Sequence, residues 1–166
     1  MSLSAEQVIE LLALQPATCG FVRETFPSGI QIPASALPAA YAGPRPLGNV
    51  LYFLVTPEET AQLHRIRSDQ MYHHYLGDPL DVLLLYADGR HEVTRVGSDL
   101  TSGTRPPLFI PGGTFHTARV TQGGAYALLG TSVWARAEPA DVEMGNADRC
   151  IEAYPGARAA IKSFAL

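Results

Sequence analysis

From Phe21 to Trp134 the chain keeps one rhythm: short apolar or alternating runs, each ended by a turn signal after about 8–12 residues. Nine such runs stand out: Phe21–Phe26, Leu47–Val55, Gln62–Arg67, Gln70–Leu76, Leu80–Tyr86, His91–Val96, Leu108–Ile110, Phe115–Val120 and Ala125–Trp134. A helix needs a period near 3.6 sustained over ten or more residues, and none of these runs has it. The chain is therefore constrained to a sandwich or barrel of short strands. Asp88-Gly89 and Gly123-Gly124 each predict a tight hairpin between their flanking runs. Pro57-Glu58-Glu59, with Thr56 before it, predicts a brief helical turn.

Only the two ends depart from this rhythm. Ser4 and Gln7 have the spacing of a capping box, and Val8, Leu11 and Leu12 give one apolar helical face that Pro16 to Gly20 terminates. Asn146–Ala153 and Pro155–Phe164 predict two short helices packed outside the sheets. Pro27 to Pro46, rich in proline, alanine and glycine, predicts a mobile or draped loop.

At 166 residues the chain is long enough for one core, so residues 1–166 are taken as a single domain. Its formal charge of −4 and the lack of any long basic run argue against a nucleic-acid partner. Cys19 and Cys150 fit neither a disulfide framework nor a metal ribbon, and read as reduced packing residues. The first residues lack the basic and apolar regions of an export signal, and no run is long enough to span a bilayer. A soluble cytoplasmic protein without a membrane partner is the expectation.

Two segments concentrate the chemistry. On a strand alternate side chains share a face, so His64 and Ile66 point together. Beyond the Ser68-Asp69 turn, Gln70, Tyr72 and His74 share a face unless a bulge intervenes. Pro111-Gly112-Gly113 permits a sharp turn that delivers Phe115 and His116 onto the next strand. His64, Gln70, Gly77 and, separately, Pro111, Gly113 and His116 resemble the two motifs of the cupin superfamily. Further segments, among them Phe21-Val22-Arg23-Glu24-Thr25, Tyr52-Phe53-Leu54-Val55-Thr56-Pro57 and Tyr126-Ala127-Leu128-Leu129-Gly130, are similar to a subgroup of small cupin-like proteins of the Cupin_5 type. The resemblance implies a mainly β fold: a double-sheet antiparallel barrel (jelly roll) with an N-terminal helix and short C-terminal helices. It also implies a pocket where the two motifs face each other, and a homodimer paired through exposed strands.

The departures bear on function. The family's usual ligand set is three His and one carboxylate, suited to Fe, Mn, Ni or Zn. Here Ile66 replaces the second His and Gln70 the carboxylate, leaving His64 and His116 with His74 as the nearest third donor. Two imidazoles without a carboxylate hold a divalent ion weakly, so the reading leans away from a resident metal.

Several site residues carry two readings. Tyr72 is a general acid near an imidazole or an aromatic filling the barrel. His74 faces the pocket by parity, whereas the resemblance favours His73. Arg23 and Glu24 reach the barrel mouth or form a structural ion pair, and Trp134 is core or interface. Asp78 and Asp81 belong to turns. Three functions compete: an epimerase- or isomerase-like enzyme on a sugar-type metabolite, with His64 as base and Tyr72 as acid; a non-catalytic small-ligand binder; and a metal-dependent dioxygenase or isomerase with a reduced ligand set.

Overall fold

The computed structural model describes residues 3–165. It opens with helix α1, Ala5–Leu12, closed at its N-terminus by the reciprocal Ser4–Gln7 capping box. The helix ends at Ala13, in the left-handed region at φ 50°, before the predicted Pro16 stop. Pro16 lies instead in an edge strand, β1 (Gln15–Ala17), where its missing N–H is tolerated. Leu11 is solvent-exposed, contrary to the predicted apolar face; Val8, Ile9, Leu12 and Leu14 are the residues that pack.

The strands then follow as β2 (Gly20–Pro27), β3 (Gln31–Ile32), β4 (Arg45–Pro46), β5 (Asn49–Val55), β6 (Ala61–Ile66), β7 (Asp69–Gly77), β8 (Leu80–Leu85), β9 (His91–Val96), β10 (Pro107–Ile110), β11 (Phe115–Val120), β12 (Ala127–Trp134) and β13 (Val142–Met144). Helices α2 (Ala147–Ala153) and α3 (Arg158–Phe164) close the chain. All nine predicted runs are strands. The 27–46 segment is more ordered than the expected loop, since β3 and β4 pair and a 3₁₀ turn spans Ala34–Ala36.

Two antiparallel sheets face each other, ordered β1-β2-β5-β12-β7-β10 and β13-β6-β11-β8-β9. Asp88-Gly89 makes the expected hairpin between β8 and β9, with Gly89 at φ 89°. Gly123-Gly124 does not. Its turn forms, but β11 and β12 belong to different sheets, so it carries a crossover. Pro57-Glu58-Glu59 also crosses between sheets and forms a bend rather than a helical turn. Thr56 Oγ1 still accepts from the Glu59 N–H at 3.1 Å, as a helix cap would.

Alternation fixes which residues fill the space between the sheets. Leu80, Val82 and Leu84 of β8 point inward to a core with Val96, Ile110 and Leu129. Leu83 and Leu85 point outward and are buried by Cys150, Ile151, Ala157 and Ile161 of the C-terminal region. That double burial explains the continuously apolar β8. On the outer face of the first sheet α1 covers Leu54 and Leu128, while Tyr75, Phe109 and Trp134 stay exposed. Trp134 is thus not a core residue. Asp81 is not a turn residue either: it pairs across strands with Arg95 at 2.7 Å.

Candidate functional site

One end of the interior is hollow. A cavity of about 660 Å³ lies between the first sheet and the β6–β13 edge of the second. Its apolar wall includes Val22, Leu51, Phe53, Ile66, Val133 and Met144. The polar groups on it are few: Thr18, Cys19, Asn49, His64, Gln70, Tyr72 and Thr131, with Glu138 at the rim.

The two motifs meet by docking of their turns. Gly113 N–H donates to the Ile66 carbonyl at 2.7 Å, and Gly112 N–H to the Asp69 carboxylate at 2.7 Å. A Cβ on Gly112 would stand 2.2 Å from the Arg67 carbonyl oxygen, so only glycine allows this approach. The turn sets β11 beside β6 with His116 directly opposite His64, their ring centroids 4.3 Å apart. The imidazoles are therefore cross-strand neighbours in one sheet rather than facing each other across the barrel. The group that faces them is Gln70, from the other sheet.

Each ring is oriented by a backbone carbonyl. His64 Nδ1 lies 2.7 Å from the Gln62 carbonyl oxygen, and His116 Nδ1 3.0 Å from that of Thr114. A carbonyl only accepts, so both Nδ1 atoms carry the proton and both Nε2 atoms carry a lone pair. Burial pushes the His64 pKa down, and burial together with His64 pushes that of His116 down to about 3. Both rings are neutral near pH 7. His116 Nε2 accepts from the Gln70 amide at 3.0 Å and is sealed from solvent. His64 Nε2 has only the Cys19 thiol, 3.6 Å away, and a thiol is a weak donor. Burial raises the Cys19 pKa to about 11, so the sulfur stays protonated. Tyr72 is likewise held as a neutral phenol, by burial and then by Cys19.

The other expected site residues sort clearly. The bulge in β7 falls at Tyr75, after His74, so Gln70, Tyr72 and His74 do share the inner face. His73 points outward to Ser132 at 3.2 Å. His74 faces inward but is not part of the cavity wall: its Nε2 is 2.9 Å from the Asp78 carbonyl and its Nδ1 is buried without a partner. Arg23 is turned away to the Leu12 carbonyl, 2.9 Å. Glu24 forms a structural ion pair with Arg136 at 2.8 Å and accepts from Asn49 at 2.7 Å. Phe115 lies outside the barrel under Arg65 and against the C-terminal helices, not in the pocket.

Cys19, Asn49, Thr131 and Glu138 were not anticipated as wall residues. They arrive from four separate segments. Glu138 is held by Arg45 at 3.3 Å; Arg45 and Arg67 also clamp the buried Asp141, at 3.6 and 3.2 Å. These contacts fix the Ala137–Val142 wall of the cavity against the 27–46 segment.

The donor set does not fit a resident divalent metal. Ile66 offers nothing, Gln70 offers only a neutral amide oxygen, and His74 lies off the cavity. Among the described residues no three or more His, Cys, Asp or Glu side chains converge on one point.

Two facing antiparallel sheets with an interior hollow at the two motifs define a cupin-fold protein. Solved structures agree. A hypothetical protein from Leishmania major matches with TM-score 0.87 and 25% identity over 98% of both chains. A protein from Shewanella oneidensis matches with TM-score 0.84 and 24% identity, covering 98% of this chain and 97% of its own. A cupin 2 domain-containing protein from Halorhodospira halophila matches with TM-score 0.52 and 17% identity, covering 86% and 81%. Residues 6–144 match the family described as Cupin superfamily (DUF985), Cupin_5, and the chain belongs to that family. No curated protein matches it. Among the described residues no helix is long and apolar enough to cross a membrane.

Proposed function

We propose that this chain holds a small, uncharged and largely apolar molecule in the cavity beside His64, Gln70 and Tyr72. The observation that carries this reading is the lining itself: a hollow of about 660 Å³ with no Lys or Arg on its wall. Leaving such a volume unfilled forfeits packing that the rest of the barrel secures, which favours a binding role. A phosphate or carboxylate would enter without a cation to meet it, so an epimerase-like enzyme on a phosphorylated or acidic sugar gains no support. The basic candidates lie elsewhere: Arg23 on the α1 carbonyl, Arg65 on Glu143 and Arg67 on Asp141.

Leu51→Trp tests the reading by filling the hollow from its wall. Ligand-observed NMR against a panel of neutral aromatic and alicyclic fragments should detect binders to the wild type that the variant loses. Binders retained in full by Leu51→Trp would place the site elsewhere and refute the proposal.

One observation favours a catalytic version. His64 presents a neutral Nε2 lone pair and Tyr72 a protonated hydroxyl, both lining the cavity from facing sheets. That is the pairing of base and acid needed to move a proton between carbons of a neutral ketone or hydroxyketone. Solvent deuterium should then enter such a bound molecule, and His64→Ala should abolish the exchange. Absence of exchange in molecules that demonstrably bind leaves binding alone. The third reading, a reduced-ligand metal enzyme, has no support from the donor set. We also propose that the chain pairs with a second copy across the outer face of the first sheet, where Tyr75, Phe109 and Trp134 are exposed. Sedimentation of the wild type against Trp134→Glu checks it: a dimer converted to monomer supports the surface, and an unaltered mass refutes it.

A further inference from the structure

The imidazoles and amides at the cavity are each oriented from behind, and in the same sense. The Gln62 and Thr114 carbonyls can only accept, so they hold the protons of both imidazoles on Nδ1. His116 Nε2 is then an acceptor, and the Gln70 amide 3.0 Å away must turn its NH₂ toward it. Gln70 Oε1 is what remains for the cavity. At the mouth the Glu24 carboxylate likewise takes the Asn49 NH₂ at 2.7 Å. Asn49, only 8% exposed, is left with its Oδ1 buried and without a partner. Glu138 adds a carboxylate at the rim, paired with Arg45. The cavity thus meets three fixed acceptors, His64 Nε2, Gln70 Oε1 and the Glu138 carboxylate, while Asn49 Oδ1 stays buried behind its wall. Against them stand the weak Cys19 thiol and the two-way hydroxyls of Thr18, Tyr72 and Thr131.

We propose that the cavity selects molecules that donate hydrogen bonds, an apolar body carrying O–H or amide-type N–H groups, over molecules of equal size that only accept. This rests on the binding role proposed above and names the class of ligand for it. An ether, ester or tertiary amide would set lone pair against lone pair at His64 and Gln70. A hydroxyl or N–H satisfies one of them, and the hydroxyl oxygen can still accept from Tyr72.

Matched probes that differ by methylation of the donor test the proposal directly on the wild-type chain: phenol against anisole, indole against 1-methylindole, benzamide against N,N-dimethylbenzamide. Dissociation constants from NMR titration should favour the donor of each pair by at least about tenfold, one well-made hydrogen bond's worth. Gln70→Met, close in size but without the acceptor, should narrow the phenol–anisole ratio toward unity, and an unaltered ratio would overturn Gln70 Oε1 as a selecting group. Methylated probes binding as tightly as their parents would overturn the donor selectivity while sparing the pocket. If neither member of any pair bound, the pocket reading would fall, and this proposal with it.

Discussion

The two ends of the barrel interior share strands β5, β7 and β12 and obey different rules. At the β8 end Leu80, Val82, Leu84, Ile110 and Leu129 fill the space to zero exposure. At the other end Leu51, Val133 and Ile66 line a hollow that polar groups enter from three sides. Apolar walls alone would collapse together. The hollow persists because an ionic clamp holds its outer wall in place: Arg45 to Glu138 and Asp141, and Arg67 to Asp141. Close packing and open volume are thus separated along one barrel axis.

The comparison can be broken in graded ways. The largest loss should come from the packed end: Leu84→Ala is expected to cost about 2–5 kcal/mol of unfolding free energy, measured by urea denaturation. Arg45→Ala should cost about 2–3 kcal/mol, because it strips one charged partner from the buried Asp141 and leaves Arg67. It should also weaken fragment binding by loosening the Ala137–Val142 wall. Unaltered binding in a folded Arg45→Ala protein would show that the clamp does not shape the cavity.

Acid should act through the histidines between the two ends. His116 is depressed to about 3 from 6.5, and His64 is depressed as well. The unfolded chain then binds protons that the folded chain refuses, so stability is full above about 6.5 and falls as pH drops toward about 3. Each ring contributes up to about 1.4 kcal/mol per pH unit within its window. Denaturation midpoints followed from pH 7 to 4.5 should fall less steeply in His116→Phe than in wild type. Equal slopes would mean the ring is already protonated in the fold.

The smallest effect should come from the hollow end. Leu51→Ala should lower stability by no more than about 1 kcal/mol, since the side chain is only partly buried and faces open space. A loss as large as that of Leu84→Ala would mean both ends are packed alike.

Most of the barrel was legible because it is written in local signals. Alternation and turn residues mark strands such as β9 and β11 to the residue. Parity placed Gln70, Tyr72 and His74 on one face, and the structure keeps it because the bulge falls one residue later. Turn chemistry said less about pairing. Gly123-Gly124 specifies a reversal of the chain, and nothing in a dipeptide says whether the next strand returns to the same sheet. The site was half legible. His64, Gln70, Tyr72 and His116 sit in recognisable spacings, but His116 proved to be the positioning partner of Gln70 rather than a wall residue. Cys19, Asn49 and Glu138 carry no motif. They reach the cavity through long-range contacts, such as Arg45 with Glu138, that leave no periodic trace in the chain.

The central claim is that the hollow beside His64 and Gln70 is a binding site. Crystals soaked with the phenol, indole and benzamide series measure this most directly. Donor-bearing fragments should occupy the cavity with a polar atom within hydrogen-bond distance of His64 Nε2 or Gln70 Oε1. Fragments found only in surface grooves, such as the one lined by Arg95 and Arg105, with the cavity holding none, would contradict it.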